Sequence, residues 1–300
     1  MKYAYFPGCS VEASAQEYEK STMAVNKVLG IELIEIPDWN CCGSIDAVHA
    51  YNPKLSLSLS ARNFSIAEGM NLDIVTLCSA CFFTLSRAGK MLREDSDLKC
   101  AVNKIINDAG LKSTGEVKVR HYLDVLVNDV GFEKIAQNVK IPLKGLKVAP
   151  YYGCLLVRPP QIVSFDDPEH PKSMDRIVEA LGGESMHYND KTRCCGASLV
   201  LTDESVMLEM TKDILLSAKN LGADCIVTPC PMCHFNLDAK QKEIESHYGL
   251  KINMPILYFT QLMGIAFGLG SKELGLNRNI VSPSKIFEKL EAQVQTAPKT

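Results

Sequence analysis

No apolar stretch in this chain approaches the roughly 18 uninterrupted residues that a membrane-spanning helix requires. The most apolar late segment, 259–269, is short and broken by Gln261, Gly264 and Gly268. Positive charge is not in excess: 32 Lys and Arg stand against 35 Asp and Glu, a formal net charge of -3. That balance gives no support to a nucleic-acid partner, which calls for a basic face. The opening residues, Met1-Lys2-Tyr3-Ala4-Tyr5-Phe6-Pro7-Gly8, lack the apolar centre of a secretory leader and read as a strand. Without an export signal the chain is expected in a reducing, cytoplasmic compartment. Structural disulfides are therefore not expected, and metal or redox chemistry becomes the use to consider for its thiols.

Thiols are what the chain does have. Ten of its 12 cysteines form two copies of one pattern. Cys9, Cys41, Cys42, Cys78 and Cys81 follow C-x31-C-C-x35-C-x2-C, and Cys154, Cys194, Cys195, Cys230 and Cys233 follow C-x39-C-C-x34-C-x2-C. Both adjacent pairs are followed by glycine, Gly43 and Gly196, and both lone cysteines are preceded by one, Gly8 and Gly153. Three hundred residues suit about two domains, and the repeat divides them as 1–144 and 145–300.

The chain alternates strand and helix patterns. Strands are expected at 2–6, 31–36, 73–77 and 117–120, with helices at 13–29, 55–69, 82–93 and 121–130 between and after them. The second half repeats the order, with strands near 146–152, 185–188 and 225–228 and helices at 173–181 and 206–221. Residues 257–262 echo 121–126. The fold class is α/β: two duplicated domains with mostly parallel sheets related by a pseudo-twofold axis. Loops after the carboxyl ends of parallel strands gather at one sheet edge. Every cysteine element follows an expected strand, so each half should collect its five thiols there.

Three uses of such a set are open. Structural zinc takes four ligands, usually as two C-x2-C pairs about 15–20 residues apart, and one such pair per half fits poorly. A dithiol couple suits a C-x2-C that opens a helix, but leaves the other three thiols of each half without a role. Iron–sulfur ligation uses thiolates throughout, and five exceed the four a cubane takes. The glycines would let backbone approach a bulky inorganic core.

The doubled Cys…Cys-Cys-Gly…Cys-x-x-Cys block resembles the CCG cysteine-rich domain pair, in the form found in the B subunit of heterodisulfide reductase from methanogens. The resemblance covers nearly the whole chain. It implies two noncubane [4Fe-4S] clusters, one on Cys9, Cys41, Cys42, Cys78 and Cys81, the other on Cys154, Cys194, Cys195, Cys230 and Cys233. It also implies the methanogenic reaction, reductive cleavage of the coenzyme M–coenzyme B disulfide to two thiols. The chain has no cubane-ferredoxin motif, so the implied partners are the enzyme's cubane iron–sulfur C subunit, its flavin A subunit and a hydrogenase. The same block occurs in subunits of lactate- and glycolate-type dehydrogenases, and a thiol-linked fumarate reductase is a further alternative. A zinc-organised scaffold without turnover is the alternative from another class.

An anionic substrate needs cations near the cleft, for which Arg193, Lys191 and Arg158 are candidates; His234, directly after Cys233, is a fourth candidate contact. Cys100 and Cys225 lie outside both blocks and read as buried inert thiols. If one disulfide is cleaved between two centres, both thiol sets must face one cleft, with the loops at 41–43 and 194–196 approaching each other.

Overall fold

Short runs rich in β-branched and aromatic residues form most of the strands, several of them stopped by a proline, as at Pro7, Pro37 and Pro229. In the computed structural model, which describes residues 1–44 and 46–296, they are β1 (Lys2–Phe6), β2 (Glu32–Glu35), β3 (Ile74–Thr76) and β4 (Val119–His121), then β5 (Lys147–Pro150), β6 (Glu184–Ser185), β7 (Cys225–Thr228) and β8 (Ile256–Tyr258). They make two four-stranded sheets of the same order, β2-β1-β3-β4 and β6-β5-β7-β8, with every neighbouring pair parallel. The duplication extends to register: Ala4 faces Ile74 in one sheet as Ala149 faces Ile226 in the other. In both, connections leave the two central strands in opposite directions, which opens a crevice at their carboxyl ends. Cys9 follows β1 and Cys78 follows β3, while Cys154 and Cys230 occupy the same places after β5 and β7.

Helices cover the sheets and also join the halves. The helix Gln16–Leu29, closed by Gly30 in a left-handed conformation (φ 72°), packs against Phe259–Ala266 of the second half. Reciprocally, Ser173–Ala180 packs against Tyr122–Val125 of the first. This exchange of equivalent contacts is what a pseudo-twofold axis produces. One core cluster accordingly mixes the halves, with Tyr18 and Val25 beside Tyr258, Phe259 and Met263. Leu143 and Leu146, in the connection between the two sheets, are buried in that core as well.

Several expectations need correction. The helix expected over 121–130 is helical only at Tyr122–Val125 and continues as a π turn, Leu126–Val130, ended by Gly131. The echo of 121–126 in 257–262 is one residue out, because Thr76 pairs with His121 as Thr228 pairs with Tyr258. Cys225 is buried as expected, but Cys100 is exposed, on the helix Ser96–Ile106 whose buried residues are Val102 and Ile106. That helix, Gln241–Tyr248 and Ser284–Thr296 add to the expected set.

Candidate metal centre

Each lone cysteine is placed by a glycine. Gly8 and Gly153 have φ of 75° and 68°, and a Cβ on either would lie 3.0 Å from Cys81 Sγ or 3.1 Å from Cys233 Sγ. The strand end carrying Cys154 is also tied to the loop carrying the second pair. Tyr152 and Gly153 donate their N–H groups to the Lys191 carbonyl at 2.8 and 3.2 Å, and Tyr151 donates its hydroxyl to the Arg193 carbonyl at 2.7 Å.

The Cys-Cys-Gly loop of the first half is held by one face of the helix Pro53–Met70. Asn63 Nδ2 donates to the Asn40 carbonyl at 3.0 Å, Ser60 Oγ to Cys42 at 2.7 Å and Ser56 Oγ to Gly43 at 2.8 Å. Positions 56, 60 and 63 are spaced by helical turns and so share a face. In the second half Thr211 Oγ1 and Asn236 Nδ2 both donate to the Cys195 carbonyl at 3.0 Å. Gly43 and Gly196 each donate N–H to the sulfur two residues back, Cys41 at 3.4 Å and Cys194 at 3.3 Å. These polar helix faces escaped the sequence reading, although serine and asparagine at one-turn spacing in an otherwise apolar helix are a usable signal.

The thiols form a nearly continuous run. Cys9 acts on Cys41, Cys41 on Cys42, Cys42 on Cys81 and Cys81 on Cys78, each as the neighbouring thiol. In the second half Cys154 acts on Cys194 and Cys233 on Cys230, and Cys195 Sγ lies 3.6 Å from Cys233 Sγ. The two runs adjoin at Cys78 and Cys230, whose thiols shift each other's ionisation. Equivalent residues can approach only beside the axis that relates them, so the two sets adjoin there.

Sharing protons divides the thiols electrostatically. Bonds from Cys41, then Cys81, hold Cys42 down to about 4, and the bond from Cys154 lowers Cys194 to about 6. Cys230 is lowered by its bonds with Cys233 and Cys78. The partners Cys9, Cys78, Cys81, Cys154 and Cys233 are pushed up, each chiefly by the thiol it bonds. Each set thus holds at least one thiol toward the thiolate, the form that binds metal, at the expense of neighbours held protonated.

A cavity of about 150 Å³ opens over the junction. All five thiols of the second set line it, while the first half contributes Ser44, which follows its Cys-Cys-Gly loop, and Ser79 and Ala80 between Cys78 and Cys81, but none of its own thiols. Ser79 Oγ is buried there without a hydrogen-bond partner. An orphaned hydroxyl beside the thiols fits a group that brings its own acceptor, such as an inorganic sulfide or a substrate sulfur. The soft donor set and the glycine clearances fit an iron–sulfur cluster in each half. Among the described residues, no three His, Cys, Asp or Glu side chains are placed to hold a single metal ion.

None of the four other expected contacts lines that cavity. Lys191 is buried, donating to the Pro171 carbonyl at 2.6 Å and pairing with Asp175 at 3.3 Å. Arg158 binds the Pro168 carbonyl at 2.8 Å and Thr192 Oγ1 at 2.7 Å, tying the loop 156–171 to the one before Cys194. Arg193 pairs with Asp213 at 3.0 Å but keeps 43% of its side chain exposed. His234 stacks on Tyr258, its ring 4.1 Å away, and its Nε2 is 3.2 Å from the Ile256 carbonyl.

The sequence profile of the CCG cysteine-rich domain matches residues 3–86 and 148–238, which contain all ten thiols. The chain belongs to the CCG cysteine-rich domain family. It is 38% identical, over 95% of its length and 99% of the other's, to the 8-methylmenaquinol:fumarate reductase membrane anchor subunit of Wolinella succinogenes. It is 33% identical, over 96% and 97%, to the B subunit of the ferredoxin:CoB-CoM heterodisulfide reductase of Methanosarcina mazei. A hypothetical protein from Helicobacter pylori shares the fold, with a TM-score of 0.76 at 16% identity over 94% of this chain and 52% of that one. No described helix is long and apolar enough to cross a membrane.

Proposed function

We propose that the chain is the disulfide-cleaving subunit of a multisubunit iron–sulfur oxidoreductase, acting on the coenzyme M–coenzyme B heterodisulfide. The observation that carries this reading is the approach of Cys78 of the first set to Cys230 of the second, which lines the cleft. Cleavage follows RSSR′ + 2e⁻ + 2H⁺ → RSH + R′SH, and two matched thiol sets that adjoin each other suit a reaction that takes two electrons and liberates two sulfurs. Two noncubane [4Fe-4S] clusters, one on each set of five cysteines, would supply the electrons. Ser79 Oγ is free to donate to a sulfur, while Leu155, Ala80 and Met232 offer apolar wall to the substrate's arms. Of the four basic candidates, Arg193 is the one we assign to an anionic arm, since it directly precedes Cys194 in the chain and keeps 43% of its side chain exposed. Lys191, Arg158 and His234 act by holding the loops and the second C-x2-C helix in place.

Electrons reach the chain from partner subunits, an iron–sulfur subunit with cubane clusters and a flavin subunit, with a hydrogenase as the donor in a cytoplasmic complex. A second reading is favoured by the 38% identity to the Wolinella protein: a CCG subunit of a fumarate reductase. One preparation tests both. Anaerobically purified protein should contain iron and acid-labile sulfide and should oxidise reduced viologen when the heterodisulfide is added. Oxidation driven by fumarate with its partner subunits, and none by the disulfide, would replace the first reading with the second. Zinc without sulfide would end both.

A further inference from the structure

His121 ends β4, 40 residues after the nearer cysteine turn and more than 100 before the farther. Its ring is fully buried, and Nε2 lies 3.1 Å from the Leu77 carbonyl and 3.1 Å from the Pro229 carbonyl. These are the carbonyls immediately before Cys78 and Cys230, one from each half. The protonation of the ring follows from its other nitrogen. Nδ1 accepts the Leu123 N–H at 3.1 Å, so the hydrogen of a neutral imidazole is on Nε2 and is shared between the two carbonyls. Burial favours this neutral form. A second donor, Tyr18 Oη, reaches the Pro229 carbonyl at 3.1 Å but has no bond to Leu77.

We propose that His121 is a positioning residue whose single N–H clamps the two C-x2-C turns together and thereby fixes the spacing of the two thiol sets. This inference rests on the reading that each set holds a cluster. The clamp exists once: the place of His121 in the second half is taken by Tyr258, and that of Phe82 in the first half is taken by His234 in the second. The pair Phe82–His121 meets edge-on with ring centroids 5.9 Å apart, whereas His234 and Tyr258 stack at 4.1 Å. The two centres are thus tied through a group that belongs to one half.

The test compares His121→Phe, His121→Gln and Tyr18→Phe in the anaerobically prepared full-length protein. Iron and sulfide are counted, and the magnetic interaction between the two reduced centres is read by electron paramagnetic resonance. Phenylalanine fills the site without a donor, while glutamine carries an N–H of similar reach. The clamp predicts that His121→Phe loses more than half of the inter-centre interaction, and that His121→Gln and Tyr18→Phe remain near wild type. Should His121→Phe not retain iron, His121→Gln decides instead: a wild-type interaction supports the clamp and its loss overturns it. An unchanged interaction in iron-replete His121→Phe overturns it, as does an equal loss in Tyr18→Phe, which would make packing between the halves responsible. Wild-type protein lacking sulfide would instead sink the cluster reading, and two clusters without any interaction would sink the clamp alone.

Discussion

Tyr18 of the first half lies flat against Tyr258 of the second, with ring centroids 4.0 Å apart and planes 8° from parallel. Both rings are buried, and Ser21 and Thr260 pair beside them at 2.7 Å. The sheets are duplicated, but the core between them is shared. Tyr18→Ala should cost about 3–5 kcal/mol by analogy with other buried aromatic truncations. Tyr18→Phe, which loses only the bond to Pro229, should cost about 1 kcal/mol. Urea unfolding followed by far-ultraviolet circular dichroism and by tyrosine absorbance should give coincident transitions in every variant. Separate transitions for the two halves would contradict the common core.

Cys42 and Cys195 sit well inside their own sets. Replacing either with serine should remove about half of the iron and sulfide and leave the other centre's spectrum intact. Cys78→Ser changes the residue at the junction and should perturb both. Complete loss of iron from Cys42→Ser would contradict two independent sites.

Gly43→Ala isolates the backbone requirement of the Cys-Cys-Gly loop. At φ 89° a side chain is strained by about 1–3 kcal/mol, and its Cβ would stand 2.5 Å from the Ser56 carbonyl oxygen. The first centre should be lost while the second is retained. Gly30→Ala has a similar φ of 72° but open space around it, and should keep both. Equal iron in the two variants would show that the helix contact is dispensable.

Burial lowers the His121 pKa from 6.5 to about 4. The unfolded chain therefore binds more protons between those values, so the residue's contribution is complete above 6.5 and disappears as pH falls through 4. The shift corresponds to about 3 kcal/mol. The urea midpoint should fall between pH 7 and pH 4.5, and His121→Gln should flatten that fall. An identical pH profile in the variant would mean that His121 is not what titrates.

The thiols and strands were legible because their signals are local: a cysteine after a short apolar run ended by proline or glycine needs no partner to be recognised. His121 was not, since its meaning lies in two carbonyls at 77 and 229 that only the folded halves bring together. Ser56, Ser60 and Asn63 were half-legible, as a polar stripe in a helix with no visible partner. Charge was the least reliable guide. Lys191 and Arg158 stand near the thiols in sequence, yet their charges hold a loop that has no counterpart of similar length in the first half. The one-residue slip at Tyr258 arose because a tyrosine in each half invited the wrong superposition.

Two identical halves could not have built the clamp. A symmetric pair would bring two imidazoles to the axis, each oriented toward the same two carbonyls, where one N–H suffices. Joining the halves in one chain releases their sequences from each other, so that histidine can stand at 121 and tyrosine at 258. The tandem is therefore more than a tethered homodimer. Exchanging the order of its halves should be tolerated, but substituting one half for the other should not.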